Sequence, residues 1–157
     1  MILRPYQEIA VQDASDALDK HKNTIVVAPT GAGKTIMLSA LIGKRYSKGK
    51  KVLVLQHRDE LVGQNASKFS RVNPKISTSV VDASQKNWDG GAVFSMVQTL
   101  SRPNNLDNMS KVDMMVIDES HHAIADTYMR IIKRVKGFHS KFKYQKKLFR
   151  KKSQAFS

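Results

Sequence analysis

Apolar positions along this chain fall into two alternating rhythms. A short continuous run at 51–56 predicts a strand buried on both faces, and 24–28, 76–81, 92–96 and 112–118 read as further strands. The segments between them carry apolar residues at helical spacing. Residues 6–20 place Ile9, Ala10, Ala14, Ala17 and Leu18 on one face, and Pro5 stands where a first helical turn tolerates it. A second helix is predicted from Lys34 to about Tyr46, ended by Gly49, a third over Arg58–Phe69 and a fourth over His122–Val135. Strands alternating with helices at this spacing predict βαβ units and a doubly wound parallel sheet, an α/β domain. Ligands of such sheets gather beyond the carboxyl ends of the strands.

Two segments at such ends carry chemistry. Ala28-Pro29-Thr30-Gly31-Ala32-Gly33-Lys34-Thr35 is a glycine-punctuated loop between a strand and a helix. Backbone N–H groups of such a loop turn inward around phosphates. Lys34 reaches the β/γ oxygens, and the Thr35 hydroxyl can ligate Mg²⁺. The following helix points its positive end at the same anion. The second segment, Met114-Met115-Val116-Ile117-Asp118-Glu119, is a buried-strand pattern ending in two acids. Asp118 is placed to hold the magnesium shell and Glu119 to polarise an attacking water.

The 157 residues suit one domain, and 41% apolar content supports a core. The absence of cysteine excludes disulfides and thiolate metal sites and agrees with a reducing cytosol. No apolar run reaches the ~18 residues that span a bilayer, so a cytoplasmic protein without a membrane partner is expected. The net charge of +14 changes meaning once located. Ten Lys/Arg and no acid lie from Lys133 onward, so the rest of the chain has an ordinary balance. Whole-chain charge therefore says little about nucleic-acid binding.

From Leu3 to about Lys136 the chain resembles the first RecA-like domain of a superfamily 2 helicase, near the DEAH-type and the restriction-enzyme and repair translocases. Leu3-Arg4-Pro5-Tyr6-Gln7 is similar to the family's adenine-reading element, in which Gln7 would bond the adenine edge and Arg4 would lie near the base. The phosphate loop begins with alanine, as is common in this family, and the resemblance assigns Thr30, Gly31, Ala32, Gly33, Lys34 and Thr35 to ATP. His57-Arg58-Asp59-Glu60-Leu61 and Phe94-Ser95-Met96-Val97-Gln98-Thr99-Leu100 resemble the family's strand-gripping elements, with Arg58, Gln98 and Thr99 as contacts. Asp118-Glu119-Ser120-His121 stands where DEAH belongs, with serine for alanine. His121 in that frame couples nucleotide to strand. The resemblance thus implies ATP and Mg²⁺ as cofactors, hydrolysis served by Lys34 and Glu119, and a nucleic-acid partner, with DNA favoured over RNA.

The same resemblance exposes a gap. A helicase of this type uses a second lobe or subunit whose arginines stabilise charge on the γ-phosphoryl group. The Thr-Ala-Thr or Ser-Ala-Thr element expected after the fourth helix is missing, and its strand would lie between the phosphate-loop strand and the Asp-Glu strand. Residues 137–157 instead carry lysines such as Lys141 and Lys143 that a sheet centre would not accept unpaired. Residues 1–136 are therefore expected to form an incomplete RecA-like P-loop domain and 137–157 a basic tail outside the family pattern, as a truncation or shifted frame would give. A rival reading makes the chain a non-catalytic fragment that binds nucleic acid or a partner through that tail. A P-loop kinase or GTPase is disfavoured by the Gln7 element and the lack of an Asn-Lys-x-Asp guanine reader. His121 and His122 beside two acids do not make a transition-metal site, because adjacent side chains at a helix start diverge. Trp88, before Asp89-Gly90-Gly91, is read as a loop anchor.

Overall fold

The computed structural model describes residues 2–24, 26, 28, 31–118 and 126–138. Helix α1 covers Pro5–His21, α2 Lys34–Arg45, strand β1 Val52–Gln56, α3 Asp59–Val72, β2 Thr78–Val81 and β3 Ala92–Met96. Short helices α4 (Val97–Leu100) and α5 (Pro103–Asp107) lead to strand β4 (Met114–Ile117) and helix α6 (Asp126–Phe138). Within the described residues the strands form a parallel sheet in the order β2-β3-β1-β4.

Both faces of this sheet are covered, which is why central β1 reads as a nearly unbroken apolar run, whereas β2 alternates. Successive side chains of a strand point to opposite faces. Leu53 and Leu55 of β1 accordingly join Val93, Leu100, Tyr128, Ile131, Ile132 and Val135 in one core. Val52 and Val54 join Phe94, Val62, Phe69 and Ile42 in the other. Helix α6 supplies 128, 131, 132 and 135, a single helical stripe. Phe69 and Phe94 meet edge to face, with centroids 5.5 Å apart and planes at 65°. Each fully buried side chain of this size contributes roughly 1.5–3 kcal/mol.

Helix α1 packs on α2 through a smaller cluster of Val11, Ala14, Met37 and Leu41. Here the sequence expectation needs correction, because Ile9 points outward at 62% exposure. The buried arc runs through Gln7, Val11, Ala14 and Ser15 instead. Two of these four are polar, and hydrogen bonds explain their burial. Arg45 Nη1 donates to both the carbonyl and the hydroxyl oxygen of Ser15 at 3.0 Å, and Gln7 is bonded to the phosphate loop as described below. A hydrophobicity pattern cannot register buried positions occupied by satisfied polar groups.

The four expected strands from 51 onward form β1 to β4, each trimmed by no more than a few residues. The strand expected at 24–28 falls partly on residues outside those described, and Thr24, Val26 and Ala28 carry no strand assignment. The basic tail lies outside the described residues from His139 onward. Helices α4 and α5 were not anticipated; they are short and follow directly on β3. Trp88 packs against the core as a loop anchor, and Lys51 Nζ donates to the carbonyl oxygens of Trp88 and Gly90.

The loop joining β2 to β3 turns at Asp82. Its Oδ1 accepts from the backbone N–H of Ser84 at 2.8 Å, from that of Gln85 at 2.7 Å and from the Ser84 hydroxyl at 3.0 Å. Desolvation pushes the carboxyl up, but these donors and the charge of Lys86 together outweigh it and hold Asp82 below its ordinary value. Folding therefore favours the charged form. Its contribution is full above the unfolded-state value and is lost as pH falls through the folded one. Asp82→Ala is expected to lower stability at pH 7 by roughly 0.5–1 kcal/mol. Urea titrations should show this difference shrinking as pH drops below the carboxylate range.

Candidate nucleotide-binding site

The glycine loop enters α2 through two residues that only glycine suits. Gly31 has φ 83° and Gly33 φ 80°, left-handed values that cost other residues steric strain. A Cβ on Gly33 would also lie 2.6 Å from Gln7 Nε2, whereas one on Gly31 would meet nothing within 4 Å. Gly33 is the N-cap of α2. No side chain caps that helix start, and its first turn holds no acidic residue. Helix-start N–H groups left in this state, with Lys34 exposed beside them, suit an anion.

The first turn of α1 clamps this loop. Gln7 is only 6% exposed. Its Oε1 accepts from the Arg4 N–H at 2.9 Å, and its Nε2 donates to the Ala32 carbonyl at 3.0 Å. The Tyr6 hydroxyl donates to the same carbonyl at 3.0 Å. One carboxamide thus joins the helix start to the phosphate loop, while Nε2 keeps a second hydrogen for another acceptor. Sequence pattern alone gives Tyr6 no role of its own. Its only signal there was its place beside Gln7.

Thr35 and Asp118 line one crevice, together with Ser39, Gln56, Asn65 and Phe69. The crevice opens between α2, α3 and the carboxyl ends of β1 and β4, where a doubly wound sheet gathers its ligands. A hydroxyl and a carboxylate are hard oxygen donors, the set that suits Mg²⁺, so these residues fit that ion. Glu119, Thr30 and His121 lie outside the described residues. No group of three or more metal-ligating side chains occurs among the described residues.

The expected strand contacts divide. Arg58 caps α3 with extended backbone and is exposed; Gln98 is exposed on α4. Each lies two residues beyond a paired strand position, since Gln56 is in register with Met96. They therefore share one edge of the sheet. Thr99 is different. It is 1% exposed, and its carbonyl accepts from Asn105 Nδ2 at 2.6 Å. Its side chain is buried where α4 meets α5, which sets Thr99 apart from the exposed Arg58 and Gln98.

Comparison with known proteins agrees with this arrangement. Residues 1–148 match the family described as "Type III restriction enzyme, res subunit" (ResIII). The chain is 29% identical over 148 residues to "Putative ATP-dependent helicase IRC3" of Saccharomyces cerevisiae, covering 87% of this chain and 21% of that one. It thus spans about a fifth of that relative's length. Among solved structures it resembles a SWI2/SNF2 ATPase core of Sulfolobus solfataricus in complex with dsDNA, with TM-score 0.68, 17% identity, and 86% and 30% of the two chains covered. It equally resembles a hypothetical ATP-dependent RNA helicase from Sulfolobus tokodaii, with TM-score 0.68, 19% identity, and 99% and 50% covered. The chain belongs to the ResIII family and is a first RecA-like domain of the superfamily 2 helicase type.

Proposed function

We propose that this chain is the nucleotide-binding lobe of a nucleic-acid-stimulated ATPase. The observation that carries the reading is the single crevice holding both Thr35 and Asp118, which unites the two sequence motifs. Lys34 and the free N–H groups at the start of α2 bind the phosphates. Thr35 and Asp118 would hold Mg²⁺, which when bound neutralises charge on the β/γ oxygens. Glu119 orients and deprotonates the attacking water. Arg4 and Gln7 face the base.

Arg58 and Gln98 are the strand-facing pair, a guanidinium and a carboxamide suited to phosphate oxygens. DNA is the favoured strand, in line with the dsDNA held by the SWI2/SNF2 core, although another fold relative is named for RNA. Efficient turnover calls for a second lobe or subunit, because an arginine supplied from outside raises such rates by roughly 10³–10⁵. Unwinding belongs to that assembly.

Single-turnover ATP hydrolysis with and without single-stranded DNA tests the reading. Stimulation by the strand is the expected result. Hydrolysis indifferent to DNA, with DNA binding that vanishes as salt rises, would assign the strand affinity to the basic tail instead. Arg58→Ala is expected to weaken strand affinity about 10–100-fold, the share of one charge-assisted contact; fluorescence anisotropy of a labelled oligonucleotide reads it.

A further inference from the structure

Gln56 closes β1, the strand between β3 and β4, and is 2% exposed. Its Oε1 has no hydrogen-bond partner among the described residues. Burial of a carboxamide oxygen without a donor is unfavourable, and such exceptions in native structures point to strain, a functional role, or a water or ion that supplies what is missing. The crevice beside it is lined by Thr35, Asn65 and Asp118 as well. Its cavity volume of ≈ 10 Å³ is on the scale that admits one water.

We propose that Gln56 is a positioning residue of the magnesium–nucleotide site, its carboxamide oxygen accepting a hydrogen bond from a water held by the Mg²⁺ that Thr35 and Asp118 bind. The inference rests on the nucleotide reading above. Mg²⁺ parts reluctantly with water and keeps several in protein sites. A metal-bound water donates hydrogen bonds, and the orphaned oxygen only accepts them. Groups that orient a metal's shell in this way typically change metal affinity 10–100-fold when removed. Leucine at this position has similar volume but accepts nothing. Glutamate keeps an acceptor oxygen in the same place.

Calorimetric titration of ADP into the 157-residue chain, with Mg²⁺ and with EDTA, separates the possibilities. Gln56→Leu is expected to leave the EDTA affinity within twofold of the parent and to reduce the affinity gained from Mg²⁺ about tenfold. Gln56→Glu should retain that gain. Because leucine removes an unsatisfied polar group from the interior, the ligand-free Tm of Gln56→Leu should not fall. A full Mg²⁺ gain in Gln56→Leu overturns the proposal. So does an equal loss with and without Mg²⁺, or a lowered ligand-free Tm, since either assigns Gln56 to the scaffold. If the parent chain takes up no ADP in either buffer, or Lys34→Ala binds as the parent does, the nucleotide reading itself fails.

Discussion

Replacing Lys34 by alanine is expected to remove most nucleotide affinity and to lower hydrolysis by about 10²–10³-fold, the usual consequence of deleting one preorganised charge stabiliser. Lys34 is the first residue of α2, directly after a left-handed glycine cap. It thus belongs to the turn whose N–H groups open toward the loop, and at an anion bound there the two effects would reinforce each other. Glu119→Gln separates chemistry from binding. It should keep Mg·ADP uptake while slowing single-turnover hydrolysis by about 10²–10⁴-fold, the range for a lost general base. Binding of a fluorescent ADP analogue and quench-flow hydrolysis measure the two quantities. Parent-like ADP affinity in Lys34→Ala would contradict the placement of phosphates at this loop.

Phe69→Ala should destabilise the domain by about 3–5 kcal/mol. Phe69 is 1% exposed and locks α3 to the sheet through its edge-to-face contact with Phe94. Domains of this size are stable by only about 5–15 kcal/mol, so the loss would remove a large share of the total. The urea midpoint should drop sharply while the slope of the transition stays the same. Phe69→Leu, which leaves a smaller cavity, should cost clearly less. The variant carries a functional signature too. Phe69 lines the crevice shared by Thr35 and Asp118, so a milder substitution that folds should still weaken the Mg²⁺ dependence of ADP binding. A core residue far from the crevice, such as Val135 of α6, should lower stability without that change.

The candidate chemistry is written locally, which is what makes it readable in sequence. A phosphate cradle is built from consecutive residues, so Gly31, Gly33, Lys34 and Thr35 announce it by identity and order. Asp118 was legible for a similar reason, as an acid ending a run of buried-strand residues. Strands buried on both faces leave uninterrupted apolar segments, which is why 52–56 and 92–96 could be placed closely. Less legible were residues whose role depends on what they meet. Ile9 shows this, since α1 turns toward α2 and the glycine loop the face that can bond Ala32 and Arg45, polar residues included. Thr99 and Gln98 are neighbours in one turn, yet only packing sends the first inward and the second to solvent.

The amino-acid order alone determined the fold class and the glycine loop that leads into α2, because backbone conformation and strand periodicity act over a few consecutive residues. Tertiary structure decided that Thr35 and Asp118 share a crevice, that Tyr6 and Gln7 clamp the loop, and that Gln56 faces burial with an oxygen unmet. These depend on parallel strands bringing distant segments to one sheet edge. No local pattern encodes such proximity; it arises when both faces of the sheet close over their cores.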